Sequence, residues 1–470
     1  MYCKPVHSKM EDYIMKAARI LVGVAVVLMA LFGTGLQKAQ ASIFTYTSGF
    51  QVQNTDTVNP AVVTIDFYNG DGTQPANSEI KDSIPAGTNK TYFPLTTVPS
   101  GFQGSVVVSS STKVASIVNI LGSGGAQPVG AAYVGATAGS PTLLIPLLMK
   151  GNGGFNTWFS VQNTGSSAAD ITANYSDGTL KTISAVQPGA AAIFDQSTET
   201  HSVKVFSAVV SSTGNTPLAS AVIEESPSVI DAYSGVIAGS TTVVFPLINA
   251  NNAGNLTGIT IQNAGSSDTT VTLSYTPSDA SSGTACTETQ TIPHGQSNTF
   301  AFLTFAGVSQ PGVTTNCIGK AKFVGSAIVT ANSTNQPLVA IVNQLKPGVN
   351  GEAYNAFDPA SATNQVVLPL IMDHNSNWWT GFSVMNVGSA STNVTCTFSN
   401  STYTVSKPLG QNQSFTDLQY GKLAPAGGKY VGSGTCTADG SGKIVAVVNE
   451  LNTVNVGANL LVYEGIPVTP

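Results

Sequence analysis

Hydrophobic and polar residues alternate strictly along many short segments of this chain. In the segment VTLSY, Val271, Leu273 and Tyr275 fall on one side of an extended strand, whereas Thr272 and Ser274 fall on the other. Gly, Pro, Asn and Asp interrupt such segments about every 8 to 12 residues, which is typical of β-sandwiches. The pattern therefore predicts an all-β protein whose antiparallel sheets each have one buried and one solvated face.

The alternating segments belong to a unit that recurs four times. Each unit begins with an apolar-x-Asn segment, at residues 50–56, 159–165, 259–265 and 382–388. An alternating strand, a turn with proline and glycine, and two apolar strands follow. A tyrosine closes each unit, at Tyr133, Tyr233, Tyr354 and Tyr463.

Two small sheets packed face to face are the expected architecture of one such unit. We therefore predict four tandem Ig-like antiparallel β-sandwich repeats after an N-terminal signal peptide. The predicted boundaries are 1–41 for the signal peptide, 42–139 for repeat 1, 140–240 for repeat 2, 241–363 for repeat 3 and 364–470 for repeat 4.

This organisation resembles the tandem Ig-like or fibronectin-like ectodomains of bacterial cell-surface proteins. The resemblance covers residues 42–470 and depends on the repeat pattern. It implies an adhesive, spacer or assembly role, and it transfers no functional residue to this chain.

The N-terminus has the features of an export signal. Lys16 and Arg19 precede the apolar run Ile20–Gly33, and the tripeptide AQA at 39–41 forms a small-x-small cleavage site before Ser42. The alternative is an uncleaved membrane anchor, because the run approaches spanning length. We expect a secreted chain that begins at Ser42 and has no membrane span after cleavage.

Four cysteines follow the signal segment, an even number that favours disulfides over metal ligands in an exported chain. Cys396 and Cys436 occupy inward positions on two strands of repeat 4, which predicts a disulfide in its core. Cys286 and Cys317 lie in segments that are lengthened only in repeat 3, so we expect their bond to join two insertions.

Charged residues make up only 9% of the chain, against about 25% in an ordinary soluble protein. Ser, Thr, Asn and Gly supply the polarity, which suits an extracellular surface that packs side by side without strong repulsion. The net charge is −6, and residues 42–470 contain no arginine. We therefore expect no nucleic-acid partner, since that binding depends on basic stripes and arginine contacts.

No arrangement of residues predicts a catalytic or metal site. His201, His294 and His374 lie in three different repeats, whereas zinc needs three or four converging ligands. No nucleophile-elbow motif is present, and the adjacent Glu224 and Glu225 point to opposite faces of a strand. We therefore expect a non-enzymatic protein without a cofactor.

Two tryptophans are candidate contact residues. Trp158 and Trp379 each lie on the side of a strand opposite its core-facing residues, at nearly equivalent places in repeats 2 and 4. Outward aromatic rings can stack on sugars or anchor a partner. The alternative is that these side chains lie under a neighbouring repeat or a loop.

Repeat 1 differs from the other repeats at its start. The others open with an apolar segment that repeat 1 lacks: LLIPLL from Leu143, VVFPLI from Val243 and VVLPLI from Val366. A sandwich without its first strand has an unpaired edge. One hypothesis is that the tail Ala458–Val468 of another copy fills the gap, which would build a filament. The alternative is that Ile43, Phe44 and Tyr46 fill it within the repeat.

These features predict an exported structural or interaction protein, a subunit of a cell-surface layer, rod or extracellular filament. We expect it to associate with itself or with other cell-surface components. The alternative is a glycan-binding adhesin that uses Trp158 and Trp379, and an enzyme without a recognisable site comes third.

Overall fold

The computed structural model describes residues 42–333, 335–347, 349–452 and 460–468, together with the backbone of residues 23–26. Regular structure in these residues is almost entirely β-strand, and the strand pairs described below are antiparallel. The predicted all-β class with antiparallel sheets is therefore confirmed. The remainder of the predicted signal peptide lies outside the described residues.

Repeat 1 contributes seven strands and pairs with an eighth from the predicted signal peptide. In chain order they are β1 (Gly23–Val26), β2 (Thr45–Asn54), β3 (Ala61–Asn69), β4 (Ile80–Ile84), β5 (Asn89–Tyr92), β6 (Gly104–Ser110), β7 (Val114–Ser123) and β8 (Val129–Val134). They form two sheets, β1-β6-β3-β4 and β5-β2-β7-β8. Side chains of both sheets meet in one hydrophobic core.

Repeat 2 has the same two layers, which one long strand joins. Its strands are β9 (Thr142–Asn152), β10 (Phe155–Asn163), β11 (Ala169–Tyr175), β12 (Leu180–Val186), β13 (Ala191–Asp195), β14 (Val205–Ser212), β15 (Leu218–Glu225) and β16 (Ile230–Ser234). Because β9 pairs with β14 and then turns into β10, the two layers form one continuous sheet.

Repeat 3 contains strands and one short helix. These are β17 (Thr242–Ala250), β18 (Leu256–Asn263), β19 (Thr269–Pro277), β20 (Cys286–Ile292), β21 (Ser297–Phe300), α1 (Phe302–Ala306), β22 (Thr314–Thr315), β23 (Phe323–Ala331), β24 (Leu338–Lys346) and β25 (Asn350–Asn355). Its sheets have the orders β17-β23-β19-β20-β22 and β21-β18-β24-β25.

Repeat 4 ends the described chain. Its strands are β26 (Gln365–Asp373), β27 (Trp378–Asn386), β28 (Thr392–Phe398), β29 (Thr404–Leu409), β30 (Ser414–Leu418), β31 (Tyr430–Ala438), β32 (Ile444–Asn452), β33 (Leu460–Glu464) and β34 (Ile466–Pro467). The sheet orders are β29-β28-β31-β26-β34 and β30-β27-β32-β33.

The asparagine of the recurring apolar-x-Asn segment fastens the loops at one end of each repeat. In repeat 2, Asn163 Nδ2 donates to the carbonyl oxygens of Ser167 and Val186, both at 2.8 Å. Its Oδ1 accepts from the Gly165 N–H at 2.9 Å. Fully buried asparagines make the corresponding bonds in the other repeats: Asn54, Asn263 and Asn386. The amide is needed because it both donates and accepts.

The apolar strands near the end of each repeat depart from the predicted alternation. In both β15 and β24, seven consecutive residues are buried. One face of each strand lies in the core of its own repeat, and the other packs against the preceding repeat. The prediction of one solvated face is therefore wrong for these strands.

Four strands, β8, β16, β25 and β33, bring the repeats into a closed ring, and we call them the axial strands. Each packs against the axial strand of the next repeat, and β33 of repeat 4 packs against β8 of repeat 1. The cores show the same order, because Ala132 of repeat 1 packs into the core of repeat 4 and Ala353 of repeat 3 into that of repeat 2. Each interface joins two different surfaces of neighbouring repeats, which makes it heterologous, and the arrangement closes into a ring after four repeats.

Both predicted disulfides are present. Cys396–Cys436 links β28 to β31, and both cysteines are fully buried in the core of repeat 4. Cys286–Cys317 links the start of β20 to the segment after β22 in repeat 3. The pairing predicted from the repeat alignment is therefore confirmed.

Replacing Cys396 and Cys436 together by alanine should lower the free energy of unfolding by about 2–4 kcal/mol, because the unfolded chain regains the freedom of a closed loop. Urea unfolding measures this loss. Amide hydrogen exchange should show reduced protection in β28 and β31. The matched control, Cys286→Ala with Cys317→Ala, should reduce protection around β20 instead. Identical exchange patterns in the two variants would contradict the core placement of Cys396–Cys436.

Candidate functional site

A belt of hydrogen bonds connects the four axial strands. Ser234 Oγ donates to the carbonyl oxygen of Val134 at 2.9 Å. Asn355 Nδ2 donates to the Ser234 carbonyl oxygen at 2.6 Å, and the Ser234 N–H donates to Asn355 Oδ1 at 3.1 Å. The Asn355 N–H donates to a carboxylate oxygen of Glu464. Each of the four residues directly follows the closing tyrosine of its repeat, so one sequence position builds the belt.

Four carboxyl groups are buried near the belt, and their protonated form is favoured. Burial raises the pKa of Asp231 to about 7 and that of Glu450 to about 8. Burial, together with the charge of Asp231, raises the pKa of Glu224. Burial and the charges of Asp231 and Glu450 do the same for Glu352. We call these four residues the buried acids.

Three of the buried acids accept hydrogen bonds across repeat boundaries, and Asp231 is one of them, because Asn343 Nδ2 donates to its Oδ2 at 3.3 Å. Asn343 Nδ2 of repeat 3 donates to Glu224 Oε2 of repeat 2 at 2.6 Å. Asn119 Nδ2 of repeat 1 donates to Glu450 Oε2 of repeat 4 at 2.9 Å. The same Asn-to-Glu contact therefore occurs at two of the four interfaces, one of which closes the ring.

The interface between repeats 4 and 1 contains a cleft of about 230 Å³, which we call the closing cleft. Its lining is mainly apolar and includes Phe50, Phe93, Leu121, Leu370, Trp378 and Val431. Asn119 and Glu450 are among its polar lining residues. Such a lining, apolar with a few polar groups, is typical of sites that bind small molecules.

Trp158 fills the corresponding space between repeats 1 and 2. The repeat register places Gly49 at the position of Trp158, so the closing cleft has no side chain there. The Trp158 ring packs against Tyr46 with centroids 6.2 Å apart, and its Nε1 donates to Glu225 Oε2 at 3.2 Å. Only 9% of Trp158 is exposed, so it lies under a neighbouring repeat, as the second sequence-based alternative states.

Trp379 directly follows the cleft-lining Trp378 on β27 and is half-buried. Its ring meets that of Tyr420 edge-on at 5.6 Å, and the His374 ring lies 4.7 Å from Tyr420. Tyr420 is 57% exposed. The strand register aligns Trp158 with Gly381, two residues beyond Trp379, so the two tryptophans are not at equivalent positions.

A third feature is the edge of repeat 1 beside β6. The corresponding strands of repeats 2, 3 and 4 pair with their own first strands, β9, β17 and β26. In repeat 1 strand β1, which belongs to the predicted signal peptide, takes this position, with Val24 opposite Val108 and Val26 opposite Val106. The register is that of repeat 2, where Leu143 lies opposite Val210.

Neither segment considered in the sequence analysis occupies this position in the described structure. The C-terminal tail is used within its own repeat, because β33 pairs with β32 and β34 pairs with β26. Tyr46 belongs to β2, which pairs with β5 and β7 in the other sheet. The apolar character of the tail did not reveal that repeat 4 itself needs these strands.

The closing tyrosines also single out repeat 1. The hydroxyls of Tyr233, Tyr354 and Tyr463 donate to carbonyl oxygens of the first strands, those of Leu147, Leu247 and Leu370. Tyr133 is only 2% exposed, and its hydroxyl has no hydrogen-bond partner among the described residues. A buried hydroxyl without a partner is costly. The sequence analysis noted the recurring tyrosine but not its acceptor.

Among the described residues, no group of three or more His, Cys, Asp or Glu side chains is placed to hold a metal ion. In the same part of the chain, no helix has the length and apolar character to cross a membrane. Comparisons with protein-family models and with curated proteins found no match.

The buried acids should make the protein less stable as the pH rises. A carboxyl group whose pKa is higher in the folded state stabilises the fold below its unfolded pKa, near 4.3, and this contribution is lost as the pH rises through the folded value. Glu450→Gln should therefore flatten the fall in unfolding free energy between about pH 5 and 8, by up to about 1.4 kcal/mol per pH unit.

Urea unfolding at a series of pH values measures the slope. Glu79→Gln is the matched control, because Glu79 is exposed on repeat 1. An unchanged slope in Glu450→Gln would show that the Glu450 carboxyl does not titrate in this range.

Proposed function

We propose that this protein is an exported, non-enzymatic structural protein of four tandem Ig-like repeats that serves as a subunit of a cell-surface layer or filament. The observation that carries the proposal is the position beside β6, where repeat 1 pairs with residues of the predicted signal peptide. If export removes that segment, the edge is free to pair with a neighbouring molecule.

Several properties of the chain support an extracellular structural role. Two disulfides suit an oxidising compartment. The low content of charged residues permits close packing between molecules. The buried acids have the raised pKa values of catalytic groups, but each is at most 1% exposed, which favours a structural role.

The closed ring favours a layer or filament over a rod. Since repeat 4 packs against repeat 1, the four repeats form one compact block rather than an extended spacer. Growth of an assembly then depends on contacts between blocks, and an open strand edge supplies a directional contact.

Electron microscopy of the native exported protein tests this proposal. We expect an ordered layer or filament on the cell surface, and mass spectrometry of that material should give an N-terminus at Ser42. Dispersed single molecules at native concentration, with no surface-bound fraction, would contradict the structural role.

Glycan binding is a second candidate, favoured by the aromatic group of His374, Trp379 and Tyr420. Trp379 supports the exposed Tyr420, and Trp378 lines the cleft itself. An exposed ring held by a second ring is suited to stacking on a sugar face.

Tyr420→Ala should weaken glycan binding about tenfold if this aromatic group is the site. A glycan array identifies the ligand, and titration of the best hit compares the variants. Val308→Ala is the control, because it removes an exposed apolar side chain from repeat 3. An array without any hit, or equal affinities of the two variants, would remove this candidate.

A further inference from the structure

We infer that the position beside β6 binds one extended apolar strand donated by a different polypeptide, which we call the donor strand. This inference rests on the proposed function, since the signal segment must be removed before the position is free. It names the partner that the proposed assembly contact requires, namely a chain with an exposed strand of defined pattern.

The other repeats define how the donor strand must lie. In repeat 2, Leu143 and Ile145 stand opposite Val210 and Ala208 in an antiparallel pair. β1 copies this register on β6 with two valines. Because alternate residues of a strand share one face, the donor strand needs two apolar residues separated by one position.

The size of the second apolar residue is restricted. In the other repeats, the strand that corresponds to β6 carries a small residue opposite this second apolar position: Ala208, Ala327 or Gly434. In repeat 1 it is Val106. Since cross-strand neighbours share the same space on the sheet face, the donor strand should carry a residue no larger than valine here, whereas repeats 2 to 4 use Ile145, Phe245 and Leu368.

Tyr133 provides an independent observation. In repeats 2, 3 and 4 the closing tyrosine bonds to the carbonyl oxygen two residues beyond the second apolar position, as Tyr233 does with Leu147. The buried Tyr133 hydroxyl lacks this partner among the described residues. A donor strand longer than β1 would bring a backbone carbonyl oxygen to that hydroxyl.

No described segment after Ser42 is free to serve as the donor strand. Three residues, Ser42–Phe44, precede β2 and cannot span the length of β6. The tail is committed to β32 and β26, and Val468 packs on Ala115 of repeat 1. In a second copy the tail makes the same strand pairs, so that copy could donate its tail only if β33 and β34 first separated from repeat 4. The geometry therefore points to a different polypeptide.

A labelled peptide of residues 20–30 is the probe, added to the chain that begins at Ser42. Fluorescence anisotropy should show saturable binding. A peptide with Val24→Asp and Val26→Asp should bind at least tenfold more weakly, because both apolar positions are lost.

A peptide with Val26→Phe should also bind more weakly, and Val106→Ala in the protein should restore its affinity. Failure of the unmodified peptide to bind would overturn the inference.

Tyr133→Phe separates a role in strand binding from a merely structural one. Without peptide this variant should be at least as stable as the parent chain, because it removes a buried hydroxyl without a partner. With peptide its affinity should fall about fivefold. Tyr233→Phe, the control, should lose stability without peptide because its hydroxyl already has an acceptor. If both variants behave alike, Tyr133 has no part in strand binding and the inference fails.

A self-complemented variant distinguishes the inference from the proposed function. A copy of Thr142–Met149 with Ile145→Val, joined before Ser42 by a flexible linker, should occupy the position and abolish incorporation into surface assemblies. If assemblies exist and this variant still joins them, the inference fails while the proposed function stands. If the chain from Ser42 polymerises alone and the variant does not, the donor is a second copy and the inference is overturned.

Discussion

In each repeat, the sheet that contains the axial strand buries its outer face against the preceding repeat, and the rest of the structure depends on this contact. Without it, β15 and β24 would expose apolar residues on a face that their own repeat does not cover. Every repeat makes the same contact with its neighbour, and the rotation between neighbours brings the fourth repeat against the first. The closed ring therefore follows from one repeated interaction.

The same constraint explains the polar groups at the centre. Glu450 and Asp231 lie at interfaces between repeats and are each only 1% exposed, and this burial raises the pKa of each. Glu450 obtains a donor from Asn119 of the next repeat. The interface between repeats 4 and 1 is also where Gly49 replaces the bulky Trp158, so closure leaves a cleft.

Strand alternation within one repeat could be predicted from the sequence, because the pattern of Val271, Leu273 and Tyr275 reflects a single buried face. The disulfide pairs followed from aligned strand positions. The ring could not be predicted in this way, since alternation gives the side on which a residue lies but not the neighbour that covers it. Trp158 illustrates this point. The available signal was the uninterrupted apolar run around Ile341, which requires burial on both faces.

The missing first strand of repeat 1 could be predicted, but its replacement could not. Hydrophobicity made the C-terminal tail an attractive donor, whereas Tyr463 and Val468 show that repeat 4 uses that tail itself. Only the comparison of hydrogen-bond partners identifies Tyr133 as the closing tyrosine without an acceptor among the residues that the structure describes. A sequence pattern identifies the recurring residue, and the structure identifies the bond that it lacks.

Small-angle X-ray scattering of the dilute, monomeric chain of residues 42–470 tests the closed ring most directly. A compact body of this length should have a radius of gyration of about 22 Å. Four sandwiches placed end to end, each roughly 30 Å long from its strand length, would give about 35 Å. A value near 22 Å is the predicted result, and a value near 35 Å would contradict closure of repeat 4 on repeat 1.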